Sequence, residues 1–406
     1  MEKTPILKTL ILENFRSFSQ EAVHFDNPTF LVGRNGSGKS NLLDALAFLG
    51  QAMMVYPPSG LIGQRGGIGA VVHRTNSRRS SQDDPMFGLG VLLGPAERVW
   101  SQARYAFQIE TKANGRFGCQ IAREQCVIHT HEGDQIWFER TPEKSRTNVE
   151  GLSPQPVSDR LVLPLLGSDA RFAGLHRHLL SMINCSIAPN GVRGGTSPLN
   201  PYVQDREGGN TASILREIGQ NRGADMNRIN EIMRAVLPVH KKVDVKEHGG
   251  MLELEFQQQH DDETEGWTLN ALSMSDGTLR VLGLLAAVYQ NFAPTLLAIE
   301  EPEASIHPGA LEVVLDVLRH ATRRSQVIVT THSPEILDAD WIEDRHIRIV
   351  SAQHGESRVR SLSAGARGIL KDHLMTAGEM LRSNVLHEAQ PESDTPAIPL
   401  FEDLPS

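Results

Sequence analysis

The hydrophobic positions of this chain change period along its length, and the periods predict a mixed α/β fold. In the N-terminal part, residues 6–12 and 22–25 read as strands, and residues 29–32 read as a buried strand. A helical period follows directly, over residues 41–49. An antiparallel β meander is then predicted by short runs that turn residues separate, at 86–93, 103–111, 120–128 and 135–139.

Helical and strand periods alternate in the C-terminal half. The predicted helices lie at 170–187, 210–237, 275–292, 308–320 and 369–386, and the strands within 242–258 and at 295–299 and 326–330. Residues 61–86 are rich in Gly, Arg and Ser without a period, which predicts a mobile loop. We expect four segments: an N-terminal lobe with the meander (1–168), an inserted helical and strand region (169–258), a C-terminal lobe (259–387) and a disordered acidic tail (388–406).

The turn after the strand at 29–32 carries the first candidate chemistry. It fits G-x-x-x-x-G-K-[ST] at every constrained position, and the candidate nucleotide-binding set is Gly33, Arg34, Asn35, Gly36, Ser37, Gly38, Lys39, Ser40 and Asn41. Glycines let backbone N–H groups wrap a triphosphate, and a helix N-terminus favours an anion. Lys39 would bind the β- and γ-phosphates of ATP and assist catalysis, and Ser40 would bind Mg²⁺. The alternative is an ordinary glycine-rich turn, against which the lysine and the hydroxyl argue.

Two later strands end in residues that could complete such a site. The apolar run 294–299 is followed by Glu300 and Glu301, which we assign to Mg²⁺ and to the attacking water. The run 326–330 is followed by His332, whose neutral imidazole could position that water. The alternatives are a solvated acidic turn and a structural histidine. Paired carboxylates directly after apolar residues are unusual without a cation, which favours the catalytic interpretation.

Residues 272–280 form a second candidate anion site. Ser273, Ser275 and Gly277 lie at the start of a predicted helix, where an anion can bind. The alternative is a simple N-capped helix with Ser275 or Asp276 as the cap, and it is compatible with that function.

Composition and charge narrow the class of protein. With a net charge of −9 and a pI of about 6.0, nucleic acid could be bound only through a local basic patch. The candidate patch is Arg65, His73, Arg74, Arg78 and Arg79, and a solvated loop is the alternative. Three scattered cysteines suit a reducing cytosol and are too few for a disulfide framework or a zinc site. The sequence has no recognisable leader or membrane span, so we expect a cytoplasmic protein without a membrane partner.

The order and kind of these elements resemble the head domain of ATP-binding-cassette-type P-loop ATPases, in particular the RecF/SMC/OLD branch and its small bacterial AAA-domain ATPases. Five stretches carry the resemblance: 13–18, 33–40, 272–280, 299–308 and 330–334. The resemblance implies that Ser273, Ser275 and Gly277 form the signature motif, which caps the γ-phosphate held by a second subunit. It also implies a D-loop at 304–307 and a position near the nucleotide for Arg16.

The sequence departs from the family pattern at three places. Glu300 stands where Asp is usual, as in the OLD-like branch. The signature reads Ser-Met-Ser-Asp-Gly and not Ser-Gly-Gly, which leaves its donor geometry open. The glutamine that senses Mg²⁺ in the family has no clear match, and Gln64 is the nominated equivalent.

We therefore expect an ATP-hydrolysing enzyme whose two copies enclose two ATP molecules and act as a switch on DNA or on a partner protein. DNA repair and anti-phage defence are the expected processes. A nuclease effector would be a separate chain, since only about seventy residues follow His332. A transporter ATPase is disfavoured because no membrane span is present. The remaining alternative is a regulatory scaffold without DNA contact and with little hydrolysis, against which Glu301 and His332 argue.

Overall fold

The computed structural model describes residues 6–54, 57–73, 85–96, 100–111, 119–152, 158–199, 203–259, 266–390 and 398–404. Its strands are β1 (Leu7–Phe15), β2 (Phe18–His24), β3 (Thr29–Val32), β4 (Met86–Leu93), β5 (Gln102–Thr111), β6 (Cys119–His129), β7 (Gln135–Arg140), β8 (Ser145–Thr147), β9 (Met182–Cys185), β10 (His240–His248), β11 (Met251–Gln258), β12 (Trp267–Asn270), β13 (Leu296–Glu300), β14 (Gln326–Thr331), β15 (Ile347–Gln353) and β16 (Glu356–Ser361). Its α-helices are α1 (Lys39–Ala52), α2 (Pro58–Gln64), α3 (Ile68–Val71), α4 (Ala173–Leu180), α5 (Pro189–Arg193), α6 (Thr211–Asn221), α7 (Gly223–Val236), α8 (Asp276–Tyr289), α9 (Leu311–Ala321), α10 (Pro334–Leu337), α11 (Ala364–Lys371) and α12 (Ala377–Arg382).

These elements form two compact units, each assembled from stretches that are distant in the sequence. The unit called here the P-loop unit comprises residues 4–182, 344–367 and 387–406. The unit called here the signature unit comprises residues 183–343 and 368–386. The sequence analysis divided the chain into contiguous segments, and those boundaries stay a prediction.

A seven-stranded antiparallel sheet dominates the P-loop unit. Its strand order is β2-β1-β4-β5-β6-β7-β8, and every neighbouring pair runs antiparallel. The four strands of the predicted meander are β4 to β7, which are consecutive neighbours in this order. The meander predicted from the alternating runs is therefore confirmed.

One face of this sheet packs against helix α1. The ring of Phe48 on α1 lies 6.1 Å from Phe15, 5.5 Å from Phe87 and 6.2 Å from Phe107, measured between ring centroids. All four rings are fully buried. Because side chains alternate along a strand, the even-numbered residues of β4 and β5 lie on the opposite face, called here the outer face.

A second group of strands in the P-loop unit leads into helix α1. Strand β15 pairs parallel with β3 and antiparallel with β16. All four residues of β3 are buried, as its apolar sequence predicts. The chain leaves β3 at Val32 and enters α1 at Lys39, so the glycine-rich stretch is a loop between strand and helix.

The prediction of a mobile loop at 61–86 is wrong for its first part. Helices α2 and α3 lie there, and Arg65 follows α2 directly. The Arg65 side chain is 9% exposed, pairs with Asp44 and lies 4.9 Å from the Phe48 ring centroid. This stretch is ordered because Arg65 has partners on α1, and no local sequence pattern reveals them. Because it is buried against Asp44, Arg65 does not belong to an exposed basic patch. The other arginines of the candidate patch, Arg74, Arg78 and Arg79, lie outside the described residues.

A buried charge network lies inside the meander. Glu124 and Arg140 are both fully buried, with Oε2 and Nε 3.8 Å apart. The Glu124 carboxylate also accepts hydrogen bonds from Tyr105 Oη at 2.9 Å and from the N–H groups of Val162 at 2.7 Å and Leu163 at 3.0 Å. Burial raises the pKa of Glu124, and these donors and Arg140 oppose that shift.

The signature unit contains the parallel pair β13 and β14. Their register places Glu300 opposite Thr330, so the two strands end at the same edge. A separate antiparallel sheet has the order β10-β11-β12. The predicted strands at 295–299 and 326–330 and the predicted helix at 275–292 are confirmed as β13, β14 and α8.

Three long helix predictions are wrong in their extent, and one of them, the run 369–386, holds the end of α11 and the separate helix α12. The run 170–187 holds the short helix α4 and then strand β9. The run 210–237 is divided into α6 and α7 at Arg222, whose φ of −142° is not helical. Gly223 follows the break, and glycine is a poor residue for continuing a helix.

The prediction of a disordered tail is wrong for residues 398–404. They lie on the outer face of the seven-stranded sheet, where Leu400 is 3% exposed and packs against Ile11 and Ala106. The polar composition of the tail predicted disorder because it offers few apolar residues that could be buried. One of those few, Leu400, is buried against the sheet, and the residues around it are therefore ordered. Residues 391–397 and 405–406 lie outside the described part of the chain.

Candidate nucleotide site

The loop between β3 and α1 has glycine where its surroundings exclude a side chain. A Cβ atom on Gly33 would lie 2.1 Å from the carbonyl oxygen of Val350, and one on Gly38 would lie 2.2 Å from Ser357 Oγ. Gly36 and Gly38 have φ values of +79° and +108°, which favour glycine. These are the constraints of a loop whose backbone turns its N–H groups towards a bound anion.

The same loop holds polar groups suited to a phosphate. Ser37 is 5% exposed, and its Oγ has no hydrogen-bond partner among the described residues. Lys39 is 6% exposed, and its Nζ donates to the carbonyl oxygens of Gly33 at 2.6 Å and Arg34 at 3.2 Å. The exposed positions of the loop are Arg34, Asn35, Gly36 and Ser40. A buried hydroxyl without a partner and a buried ammonium over the loop fit a polyphosphate that would bond to both.

The motif at 13–18 supports this loop from behind. Ser17 Oγ accepts hydrogen bonds from Asn41 Nδ2 at 2.8 Å and Ser357 Oγ at 2.8 Å, and the Ser357 N–H donates to the Ser17 carbonyl at 2.7 Å. Asn14 and Arg16 each have a φ of +50°, which turns the chain sharply before Ser17. The nucleotide-binding role expected of Asn41 stays a prediction, and its observed contact is this support.

Asp44 on α1 joins two arginines and is 7% exposed. Its carboxylate lies 2.6 Å from Arg16 Nε and 3.0 Å from Arg65 Nε. The pairing holds Arg16 against the helix that starts at Lys39, and a contact of Arg16 with nucleotide stays a prediction. Gln64 is exposed at the end of α2, and its Mg²⁺-sensing role also stays a prediction.

The strand ends of the signature unit bring Glu301 and His332 together. His332 Nδ1 lies 3.3 Å from Glu301 Oε1, and the two side chains are 49% and 38% exposed. Glu301 has a φ of +42°, a region that costs free energy for a residue other than glycine, and its N–H bonds to the Thr330 carbonyl at 3.0 Å. A carboxylate that is accessible to water and paired with an imidazole can accept a proton from that water.

Glu303 fixes the two strand ends, and the sequence analysis assigned it no role. Its Oε1 accepts hydrogen bonds from Thr331 Oγ1 at 2.6 Å and from the His332 N–H at 3.4 Å. Its Oε2 is buried without a partner among the described residues. Glu303 therefore orients His332 through the backbone. The only signal in the sequence was its place two residues after Glu301.

Glu300 has a partner that the sequence analysis also missed. Arg206 Nη2 lies 3.0 Å from Glu300 Oε1, and the side chains are 51% and 14% exposed, respectively. A cation at Glu300 would compete with Arg206 for the same carboxylate. Within the described residues, no three His, Cys, Asp or Glu side chains are grouped as a metal cluster. A Mg²⁺ ion at Glu300 would therefore need hydroxyl, phosphate and water ligands, which is its usual preference beside nucleotides.

The signature stretch forms an exposed helix start. Ser275 is the N-cap of α8, and its Oγ accepts from the Thr278 N–H at 3.2 Å, as the capping interpretation predicts. A Cβ on Gly277 would lie 2.6 Å from the Ser305 carbonyl oxygen, so the stretch 304–307 packs against this turn. Leu272 is 73% exposed, and Ser273 is exposed beside it.

The structure thus groups the predicted site residues within each unit. Gly33 to Asn41 lie together in the P-loop unit with Arg16 behind them. Glu300, Glu301 and His332 meet at the strand ends of the signature unit, and Ser273, Ser275 and Gly277 surround the start of α8. Among the described residues, no helix has the length and hydropathy of a membrane span.

Two family models match this chain. The model described as "AAA ATPase domain" matches residues 6–67, which hold the 13–18 motif and the phosphate loop. The model described as "AAA domain, putative AbiEii toxin, Type IV TA system" matches residues 201–338, which hold Arg206, the signature stretch and the strand ends. Each of the three groups of site residues therefore falls within a matched range.

Short stretches of the chain also match curated proteins named "DNA replication and repair protein RecF". The protein from Rickettsia canadensis is 43% identical over 60 residues, which are 14% of this chain and 15% of that protein. The protein from Mannheimia succiniciproducens is 57% identical over 42 residues, 10% of this chain and 12% of that protein. The chain thus matches well under two thirds of the length of these relatives.

Solved structures of SMC heads have the same fold. An SMC head bound to the C-winged helix domain of ScpA has a TM-score of 0.53 and 16% identity, covering 89% of this chain and 99% of that one. The SMC head with an extended coiled coil bound to the C-terminal domain of ScpA, from Pyrococcus furiosus, has a TM-score of 0.54 and 14% identity, covering 91% and 100%. The chain therefore has an SMC head-like α/β fold with a mixed and an antiparallel sheet.

Proposed function

We propose that this chain is a RecF/SMC-like P-loop ATPase head that binds ATP with Mg²⁺ and hydrolyses it. The observation that carries the proposal is the pair formed by Glu301 and His332, 3.3 Å apart at the end of β13 and β14. Glu301 keeps this position with a φ of +42°. Strain of this kind persists where the surrounding structure enforces it, and it is concentrated at functional sites.

Each residue has a part in the proposed reaction. The N–H groups of the loop 33–38 bind the phosphates, and Lys39 moves from the loop carbonyls to the phosphate oxygens. Glu301 takes the proton of the attacking water, and His332 orients that water and the carboxylate. Mg²⁺, held through Ser40 and Glu300, would neutralise the charge of the phosphates. For Glu300 to hold that ion, Arg206 would have to release the carboxylate, since the two cations share it.

The proposed reaction takes place in an ATP-dependent homodimer. Support comes from Ser273 and Ser275, which are exposed at the start of α8, where an anion held by another copy could reach them. In such a dimer the signature stretch of one copy would close on the nucleotide held by the other. Both sites then close at once by two-fold symmetry.

The proposed process is a DNA-related one, repair or anti-phage defence, in which the dimer acts as a switch with a separate effector such as a nuclease. The named RecF relatives support the link to repair, and the SMC heads crystallised with ScpA support a separate partner chain. The second candidate is a regulatory scaffold with little hydrolysis and no DNA contact. It is favoured by Arg65, which is held by Asp44 and not free to bind phosphate groups of DNA.

The rate of ATP hydrolysis and the molecular mass in solution, measured on the same variants, test the proposal. The wild-type chain should release phosphate from Mg·ATP, and Lys39→Ala should lose nucleotide binding. Glu301→Gln should bind ATP but turn over at least about a hundredfold more slowly. By light scattering, Glu301→Gln should double its mass on addition of Mg·ATP.

The signature is tested in the same Glu301→Gln background. Ser275→Arg should prevent the ATP-dependent change of mass because it places bulk and charge at the helix start. Gly219→Arg is the matched control, since it places the same side chain at an exposed position of α6 where a Cβ would meet nothing within 4 Å, and it should still dimerise. Equal turnover of wild type and Glu301→Gln would favour the scaffold, and a monomer that hydrolyses ATP at the wild-type rate would refute the shared site.

A further inference from the structure

The last described residues of the chain occupy a built site on the outer face of the seven-stranded sheet. Leu400 is 3% exposed and packs against Ile11 of β1 and Ala106 of β5. Ile398 and Phe401 are partly buried beside it. The segment 398–404 belongs to no strand of the sheet, so side chains and not a backbone ladder hold it there.

Two glycines of β4 make the notch that Leu400 fills. A Cβ on Gly88 would lie 2.3 Å from Leu400 Cδ2, and a Cβ on Gly90 would lie 2.9 Å from Leu400 Cδ1. Glycine inside a strand weakens it and often marks a place where another group approaches closely. Gly88 and Gly90 alternate with Phe87, Leu89 and Val91, all fully buried, so the glycines fall only on the outer face.

Polar side chains of β5 and β6 hold the backbone on either side of Leu400. Gln125 Nε2 donates to the Glu402 carbonyl at 2.9 Å, and Gln125 Oε1 accepts from the Glu402 N–H at 3.0 Å. Arg104 Nη2 donates to the Pro399 carbonyl, and its Nη1 lies 3.5 Å from the Glu402 carboxylate. Gln125 is 1% exposed and Arg104 is 9% exposed, so both are fixed within the sheet.

Phe401 completes the contact. The Arg123 guanidinium lies 4.3 Å from the Phe401 ring centroid, which is the geometry of a cation–π interaction. The sheet therefore recognises an apolar side chain, an aromatic ring, an acidic side chain and two backbone segments. That is the set of contacts by which a protein recognises a short peptide.

We propose that the outer face of this sheet is a peptide-binding site, that residues 398–404 are its resident ligand, and that the same segment of a second copy of this chain can replace it. The site shows why exchange is possible. Of residues 398–404 only Leu400 is buried, and the others are half-buried or exposed, so most of their contacts lie where water can reach them. A tethered ligand acts at an effective concentration of about 1 mM, so a peptide affinity of about 0.1 mM keeps the site mostly, but not always, filled.

A labelled peptide tests the proposal on the full-length chain. The probe is fluorescein-labelled Ile-Pro-Leu-Phe-Glu-Asp-Leu, the sequence of residues 398–404, and the readout is fluorescence anisotropy. Leu400→Asp in the chain should release the resident segment, so that the probe binds with a dissociation constant of about 0.1 mM. The wild-type chain should bind it about tenfold more weakly, because its own segment competes.

Two variants locate binding in the notch. Adding Gly88→Ala to Leu400→Asp should abolish probe binding, because the new methyl group fills the space of the peptide leucine. Apart from Leu400, the nearest atoms to that Cβ would be Gln108 Cγ at 3.3 Å and the Phe107 carbonyl oxygen at 3.5 Å, so the sheet can accept it. Gly219→Ala is the matched control in the same background, since its Cβ would meet nothing within 4 Å, and binding should persist.

The melting temperature of every variant is measured beside its binding. Failure of the Leu400→Asp chain to bind the probe, at a wild-type melting temperature, would overturn the peptide site. Equal binding by wild type and Leu400→Asp would overturn the assignment of residues 398–404 as its resident ligand. Should Leu400→Asp not fold, an excess of unlabelled wild-type peptide that fails to compete the probe from the wild-type chain would overturn the proposal as well.

Discussion

Two glutamates of this chain, one in each unit, have opposite surroundings. Glu124 of the P-loop unit is fully buried, lies opposite Arg140 and accepts three hydrogen bonds. Glu301 of the signature unit is 38% exposed, has a φ of +42°, and has His332 beside its carboxylate. The Glu124 carboxylate is paired with buried donors of the protein. The Glu301 carboxylate is accessible to solvent, and its backbone conformation is strained.

The difference separates stability from function. A buried charge that keeps all its partners holds one arrangement of the strands around it, and losing it leaves the partners unpaired. A strained and accessible charge does little for folding, and its position is explained by what it can do to a bound molecule. Four predictions test this comparison, and they are ordered by the size of the effect expected on stability.

Glu124→Ala should lower the free energy of unfolding by about 3–5 kcal/mol, because Arg140 and two backbone N–H groups would remain buried without their acceptor. Chemical denaturation of the variant and the wild type measures it. Tyr105→Phe is the graded control, as it removes one of the hydrogen bonds and should cost less. A loss below about 1 kcal/mol for Glu124→Ala would mean that water enters and replaces the carboxylate.

His240 should make folding sensitive to acid. It is 2% exposed, its Nε2 lies 3.1 Å from Asn230 Oδ1, and burial, assisted by the positive charge of Arg234, lowers its pKa from 6.5 to about 4. The folded state therefore prefers the neutral ring. Its contribution to stability is complete above pH 6.5 and is lost as the pH falls towards 4.

The His240 prediction is checked by denaturation between pH 7.5 and 4. His240→Gln removes the titrating ring, and its amide can still donate to Asn230. The variant should lose less stability than the wild type over the same range. Parallel curves for the two proteins would show that other groups cause the acid sensitivity.

Glu301→Gly should raise the free energy of unfolding by about 1 kcal/mol, since glycine adopts a positive φ without strain. The same variant should lose turnover. His354→Gly is the matched control, because His354 is an exposed residue with a φ of +53° in the turn between β15 and β16. It should gain stability with its turnover unchanged. A destabilised Glu301→Gly would mean that the pair with His332 contributes more to folding than the strain removes.

Arg206→Ala should change stability by less than about 0.5 kcal/mol, because the Arg206 side chain is half exposed. It should lower the Mg²⁺ concentration that half-saturates nucleotide binding, since a competing cation is gone. Arg228→Ala is the control, as it breaks an exposed ion pair with Glu231 at 3.0 Å far from the carboxylates in the sequence. Weaker Mg²⁺ binding in Arg206→Ala would show that Arg206 assists the ion.

The sequence alone determined the elements whose chemistry is local. Residues 33–40 carry the glycines, the lysine and the hydroxyl within one contiguous motif. The apolar periodicity on either side predicts the strand before this motif and the helix after it. The same is true of Ser275, which caps the helix that begins one residue later. Short-range patterns suffice here because each group acts on its neighbours in the chain.

Only the tertiary structure decided which distant residues complete or cover these elements. Ser357 lies behind Gly38, Arg206 pairs with Glu300, Arg65 is buried against Asp44, and Leu400 fills the space over Gly88 and Gly90. In the sequence, Arg65 read as a loop cation and Leu400 as part of a disordered tail. The sequence shows the polarity of each side chain. Whether that side chain is buried depends on the residues that the fold places against it, and these are tens to hundreds of positions away in the sequence.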